Sequence, residues 1–193
     1  MSPSSPSPAD ASRAVTGLLA RLARLAESDG FSAGLNPAQW SALRYLHEAN
    51  RFSRSASAFA LYHGTTRGTA SQTLKALVDK GLVNREIHRE DRRRATLSLT
   101  PRGEELLSND PYRRFVAAAE CIPDQTRNHL LEGLQQLWAL CDEATGTQFG
   151  ACRRCRHLRP CDETSDAYQR CGKNDSPLLE GELDLLCVNF ETN

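Results

Sequence analysis

The stretch that most constrains this chain is residues 55–99, where four short elements follow one another with almost no linker. Residues 55–62 read as a short helix stopped at Gly64. Thr65 or Thr66 can cap the next helix, which runs to Lys80, carries Ala70, Leu74, Leu77 and Val78 on one apolar face, and stops at Gly81. Residues 82–88 and 95–99 read as two strands, with the polar tip Arg89-Glu90-Asp91-Arg92-Arg93-Arg94 between them. Helix, tight turn, helix and hairpin in that order describe a winged helix-turn-helix. The expected fold is therefore mainly α with a small β-hairpin wing.

The flanks supply further helices. Val15, Leu18, Leu19, Leu22 and Leu25 recur at three- and four-residue steps in a helix from Ala9 that Gly30 closes. Asn36-Pro37 opens a second helix, with Trp40, Leu43 and Leu46 inward, ending near Ala49. Thr100-Pro101 opens another, a break falls at Asn109-Asp110-Pro111, and a last long helix after Pro123 puts Leu130, Leu134, Leu137, Trp138 and Cys141 on one face. Cys121 and Cys141 are expected as small apolar groups buried against helices. The organisation expected is a Ser/Pro arm over 1–8, disordered because it can bury nothing, a domain over 9–150 and a cysteine-rich segment over 151–193.

The helix over 66–80 has the geometry to read DNA. Gly68, Gln72 and Lys75 lie opposite its apolar stripe, with Ser71 beside them. Gln can bond adenine twice, Lys can pair with phosphate or guanine, and Gly permits close approach. Thr65, Thr66, Arg67 and Thr69 stand at the helix N-terminus, where backbone N–H groups suit phosphate. The 24 basic and 24 acidic residues of the chain cancel, so any nucleic-acid role requires a local patch. Residues 63–94 supply one: Arg67, Lys75, Lys80, Arg85, Arg89, Arg92, Arg93 and Arg94 outweigh Asp79, Glu86, Glu90 and Asp91.

The run Ser71…Leu74…Leu77…Lys80-Gly81-Leu82-Val83…Arg85, then Asp91-Arg92-Arg93, then Leu99-Thr100…Gly103 resembles the MarR family of bacterial regulators over residues 10–146. The resemblance implies a homodimer with interlocked first and last helices and one winged helix per subunit, acting on double-stranded DNA. It implies that residues 66–80 are the recognition helix and 89–94 the wing. Arg92 or Arg93 would then enter the minor groove, while Asp91 positions neighbouring arginines. The apolar faces of the first and last helices independently suit a dimer interface. A small-molecule effector is compatible with this class.

From Ala151 onward the composition changes. Cys152, Cys155, Cys161, Cys171 and Cys187 fall in a segment with few large apolar residues, too short to build its own core. No basic, apolar leader opens the chain, so a reducing, cytoplasmic setting in a bacterium is expected, where clustered thiols point to metal. Cys152-x2-Cys155 can chelate one centre. Only one such knuckle exists, whereas zinc sites usually have two, and iron–sulfur clusters tolerate irregular spacing. The reading favours an iron–sulfur cluster over zinc, on Cys152, Cys155, Cys171 and Cys187, with Cys161 competing for one place. Arg153, Arg154, Arg156, His157 and Arg159 are expected to stabilise the thiolates. Residues 162–193 carry a net −6 and should avoid DNA.

The function expected is a dimeric DNA-binding transcriptional regulator whose affinity is modulated by the cluster. Its alternative is a small-ligand-responsive regulator with a structural zinc site. A thiol-redox enzyme is disfavoured, since no nucleophile–base pair is visible and the lone Cys-x2-Cys lacks a thioredoxin-like context.

Overall fold

The computed structural model describes residues 7–29, 31–87, 95–141, 149–161 and 169–192. Among them are seven α-helices and small antiparallel sheets. Helix α1 (Pro8–Asp29) is followed by α2 (Pro37–Glu48), α3 (Ala56–Tyr62) and α4 (Arg67–Asp79). Strands β1 (Val83–Ile87) and β2 (Ala95–Leu99) pair antiparallel, Val83 opposite Leu99 and Ile87 opposite Ala95. Then come α5 (Pro101–Leu107), α6 (Arg113–Glu120) and α7 (Asp124–Cys141).

Helix starts follow the caps written in the sequence. Asn36 Oδ1 accepts from Gln39 N at 2.9 Å while Gln39 Oε1 accepts from Asn36 N, a reciprocal box ahead of Pro37. Ser55, Thr66 and Thr100 each accept a backbone N–H three residues on. Among the α-helices, α6 is the one that sequence reasoning did not assign. Its first residue follows Tyr112, which offers no side-chain cap. Asp110 stands in from outside the helix: its carboxylate accepts from Tyr112 N at 2.8 Å and pairs with Arg44 at 3.5 Å.

The core of the winged helix forms where α2, α3, α4 and the wing base meet. Trp40, Leu43, Tyr45 and Leu46 of α2, Phe59 of α3, and Ala70, Leu74 and Leu77 of α4 are buried, with Leu82, Val83 and Leu97. Gly103 lets α5 sit on this core, because a Cβ there would stand 2.3 Å from the Leu82 carbonyl oxygen. We expect Gly103→Ala to cost about 1–3 kcal/mol through overpacking against rigid backbone. A denaturation midpoint equal to wild type would show that the α5 contact yields freely.

No described residue of α1 or α7 is fully buried. Leu18 and Leu22 are about half exposed, as is Leu130, and Trp138 is 65% exposed. Cys121 and Cys141 are also exposed, against the expectation of burial. Among the described residues, the apolar stripes of α1 and α7 remain largely exposed.

After α7 the chain forms a compact appendage. Strand β3 (Gly150–Ala151) pairs with β7 (Leu186–Cys187), and β4 (Leu158–Pro160), β5 (Gln169–Cys171) and β6 (Ser176–Leu178) make a second small sheet. Cys152, Cys171, Leu178, Leu183 and Cys187 form a minor buried cluster, closed by Leu158, Phe190 and the winged helix's own Phe52. The appendage thus borrows apolar surface, as its composition requires. In return, Leu186 and Val188 pack against the main core.

Candidate nucleic-acid interface and thiol site

Helix α4 separates its two faces cleanly. Ala70, Leu74 and Leu77 are buried, while Thr66, Arg67, Gly68, Thr69, Ser71, Gln72 and Lys75 are exposed. Thr65 is half-buried. Thr66 Oγ1 accepts from Thr69 N at 3.1 Å, so this hydroxyl serves the cap before any ligand. Lys80 is turned away from the outward face, its ammonium donating to Gly34 O. The wing residues Arg89, Arg92, Arg93 and Arg94, with Asp91 and His88, lie outside the described residues. A cleft of about 880 Å³ runs between α4, the wing base and residues 51–57, with Arg54, Arg67, Lys75 and Arg85 on its walls.

Gly68 is not required by the fold. An added Cβ would meet only Thr66 Oγ1, at an ordinary 3.7 Å. Gly68→Ala should therefore stabilise α4 by up to about 1 kcal/mol through helix propensity. If the residue exists to admit a close DNA approach, the same variant loses DNA affinity while its melting temperature rises. Unchanged affinity would remove Gly68 from the interface.

The thiols converge around Cys152. Its proton is held far above the usual thiol range, first by a hydrogen bond to Cys187, then by burial, with Cys171 and Cys155 adding their charges. Cys187 is the complementary partner. Its thiolate is favoured, with a pKa lowered to about 6, by the hydrogen bond from Cys152 and by further donors at Asn50, Asn189 N and Ser53. Cys152, Cys171 and Cys187 are buried and Cys155 is half-buried. Cys161 follows β4, is half-buried, and is not among the thiols acting on Cys152. Among the described residues no group of three or more His, Cys, Asp or Glu side chains is arranged to hold a metal ion.

The cations flanking the first thiols do other work than expected. Arg153 bridges Glu180 (2.5 Å) and Asp184 (2.8 Å), Arg156 and His157 both meet Glu191 at 3.1 Å, and Arg159 donates to backbone carbonyls. The acidic residues of the appendage are near and desolvate little, so they capture the guanidinium groups. Lys173, then His157, hold the Glu191 carboxyl down at about 2. Neutral amides take the place of cations at sulfur: Asn50 Nδ2 donates to Cys152 Sγ (3.9 Å) and Asn174 Nδ2 to Cys171 Sγ (3.5 Å). The sequence offered no sign of this. Asn50 simply follows a helix end, and burial of an amide is invisible before folding.

The helix-turn-helix followed by a β-hairpin on one core defines a winged-helix protein. Residues 33–94 match the sequence model described as MarR family, about a third of the chain. Similar solved structures agree in fold. A MarR/EmrR family transcriptional regulator from Acinetobacter sp. ADP1 is 22% identical with a TM-score of 0.57, covering 68% of this chain and 97% of its own. MepR of S. aureus in its DNA complex is 17% identical with a TM-score of 0.55, over 67% and 96%. CouR from Rhodococcus jostii RHA1, bound to p-coumaroyl-CoA, is 24% identical with a TM-score of 0.52, over 64% and 90%. No curated protein sequence matches the chain. Among the described residues no helix is long and apolar enough to cross a membrane.

Proposed function

We propose that the protein is a homodimeric DNA-binding regulator whose affinity for DNA is set by a cofactor on Cys152, Cys155, Cys171 and Cys187. The observation that carries the DNA reading is the outward face of α4, where Arg67, Gly68, Ser71, Gln72 and Lys75 are exposed opposite a buried stripe. A helix so presented fits a major groove about 12 Å wide. The bound DNA in the MepR structure is consistent with this use of the fold. The bare apolar faces of α1 and α7 favour a second copy of the chain as their cover.

The donor set suits an anionic sulfur centre: thiols within an apolar pocket, and two amide N–H groups aimed at sulfur. An iron–sulfur cluster is preferred to zinc because its ligand spacing tolerates the single Cys-x2-Cys knuckle. Such a cluster supplies a redox-responsive centre. Among the described residues the four thiols are not grouped around one metal position, so loading would have to bring them together on the cluster.

A second reading, a regulator answering to a small anionic effector with a zinc appendage, is favoured by the basic cleft beside α4, which is of ligand-pocket size. Anaerobic purification with metal and acid-labile sulfide analysis separates the two. Iron with sulfide supports the first; zinc alone supports the second.

DNA readout has its own test, using a site selected by the protein from a random pool. Gln72→Ala is expected to relax base preference, since a bidentate base contact carries about 1–3 kcal/mol of discrimination. Arg92→Ala and Arg93→Ala should weaken selected and scrambled DNA alike and flatten the salt dependence. Equal losses on both sequences for Gln72→Ala would remove it from base readout.

A further inference from the structure

The appendage is seated on the α2–α3 corner, residues 49–54, by buried polar contacts. The Asn50 backbone N–H donates to Leu186 O at 2.9 Å and Val188 N donates to Ser53 Oγ at 2.8 Å, with Asn50 and Ser53 both 0% exposed. Leu178 and Leu183 anchor the other side, each buried in the cluster that Phe52 of the corner helps to close. Their chain neighbours Pro177 and Glu182 are thereby brought to the rim of the corner. There Arg51 meets both. Its Nη1 donates to Glu182 Oε2 at 3.1 Å, its Nη2 donates to the Pro177 carbonyl, and its guanidinium lies over the Phe52 ring, 4.9 Å from the centroid.

We infer that Arg51 is a DNA-backbone contact held in place by the appendage, with Glu182 and Pro177 as its positioning partners. This rests on the DNA reading above and not on what the thiols bind. Arg51 stands on the wall of the cleft between α4 and the wing base, which also carries Arg54, Arg67, Lys75 and Arg85. Among the described residues that line it, the one acid is Asp79. Arg67 and Lys75 belong both to this cleft and to the exposed face of α4, so a duplex seated on that face brings its phosphates alongside the cleft.

Two effects oppose each other at Arg51. The Glu182 carboxylate offsets its charge, while the ion pair, the carbonyl and the ring fix its geometry. The positioning effect is the larger. The Glu182 side chain is 15% exposed and that of Arg51 41%, so the cation is presented to solvent and the carboxylate stands behind it. Glu182 is itself tied, since its Oε2 also accepts from Leu179 N at 3.1 Å. A partly exposed ion pair contributes little in water, whereas an unheld arginine loses much rotamer freedom when it binds a phosphate. The two contacts to Glu182 and Pro177 leave further N–H groups of the guanidinium fork for phosphate oxygens. The acidic appendage, expected from its charge to avoid DNA, thus meets the cleft through a cation of the winged helix.

The test titrates the full-length protein with a duplex selected from a random pool and with a scrambled duplex, over a range of salt. Arg51→Gln should weaken binding to both about 3–10-fold at low salt and flatten the slope of log affinity against log salt by about 0.9 per chain, because a phosphate contact releases counterions whatever the sequence. Glu182→Gln removes a negative charge beside DNA, yet it should also weaken binding, on the order of threefold, as the arginine regains its rotamers. In the Arg51→Gln background the same substitution should change nothing further, an outcome that a merely structural role of Glu182 does not give. Protease resistance of residues 149–192 shows whether the appendage stays docked; if Glu182→Gln undocks it, the salt slope of Arg51→Gln decides alone. A wild-type slope in Arg51→Gln, tighter binding by docked Glu182→Gln, or additive losses in the double variant would overturn the inference while leaving DNA binding in place. Failure of the wild type to bind either duplex would overturn the DNA reading itself, and this inference with it.

Discussion

Replacing Cys171 with Ser in the full-length protein is expected to open residues 149–192 to protease while the winged helix stays folded. The reason is the disparity of the two cores. The main cluster joins 16 buried apolar residues from α2, α3, α4 and the wing, whereas the appendage has five, of which Cys152, Cys171 and Cys187 are thiols. An apolar cluster that small cannot offset the ordering entropy of some forty residues, which runs at about 1–2 kcal/mol per residue for the backbone alone. Ligation of a structural metal contributes on the order of 10–16 kcal/mol in small zinc domains, and here it is the expected source of folding energy. Cys155→Ser should behave likewise. Cys161→Ser should keep both the metal and the protease-resistant appendage, since Cys161 stands apart from the thiols acting on Cys152. Full metal content in Cys171→Ser, by elemental analysis, would overturn the ligand set.

The second large effect concerns assembly. Leu22→Asp combined with Leu134→Asp is expected to yield monomers or insoluble protein. Leu18 and Leu22 of α1 and Leu130, Leu134 and Trp138 of α7 leave large apolar areas to water in the single chain. Burial of each such side chain against a second copy stabilises the pair by about 1.5–3 kcal/mol, and a buried carboxylate reverses the sign. Because these faces are exposed in the monomer, the substitutions spare its core, and the result reads association and not folding. A soluble dimer from the double variant, seen by light scattering, would refute the assignment.

Much of the fold was legible because it is written in local signals. Asn36-Pro37, Ser55, Thr66 and Thr100-Pro101 mark helix starts that the structure uses as caps, and Gly81, with φ +69°, marks the turn out of α4. The three-and-four spacing of Ala70, Leu74 and Leu77 identified the buried face of α4 and, by subtraction, its outward one. What escaped the sequence was non-local. Helix α6 starts without a cap of its own and is anchored by Asp110 and Arg44 from elsewhere. The burial of Cys121 and Cys141 was misjudged because a helical stripe does not say whether its cover lies in the same chain. The arginines beside Cys152 and Cys155 looked like thiolate partners until Glu180, Asp184 and Glu191 were seen folded back onto them. Asn50 and Ser53 lie about a hundred residues upstream of the thiols they face, and no spacing rule reaches that far.

The measurement that bears most directly on the central claim is a DNA titration of one preparation in two states, anaerobically loaded and metal-stripped, on a site selected by the loaded protein. The loaded protein should bind at least tenfold more tightly, a difference of about 1.4 kcal/mol, if ligation orders the appendage whose Leu186 and Val188 pack against the winged-helix core. Equal affinity in the two states, with the stripped appendage confirmed as protease-sensitive, would contradict the account by making the thiol site structural and leaving DNA binding indifferent to it.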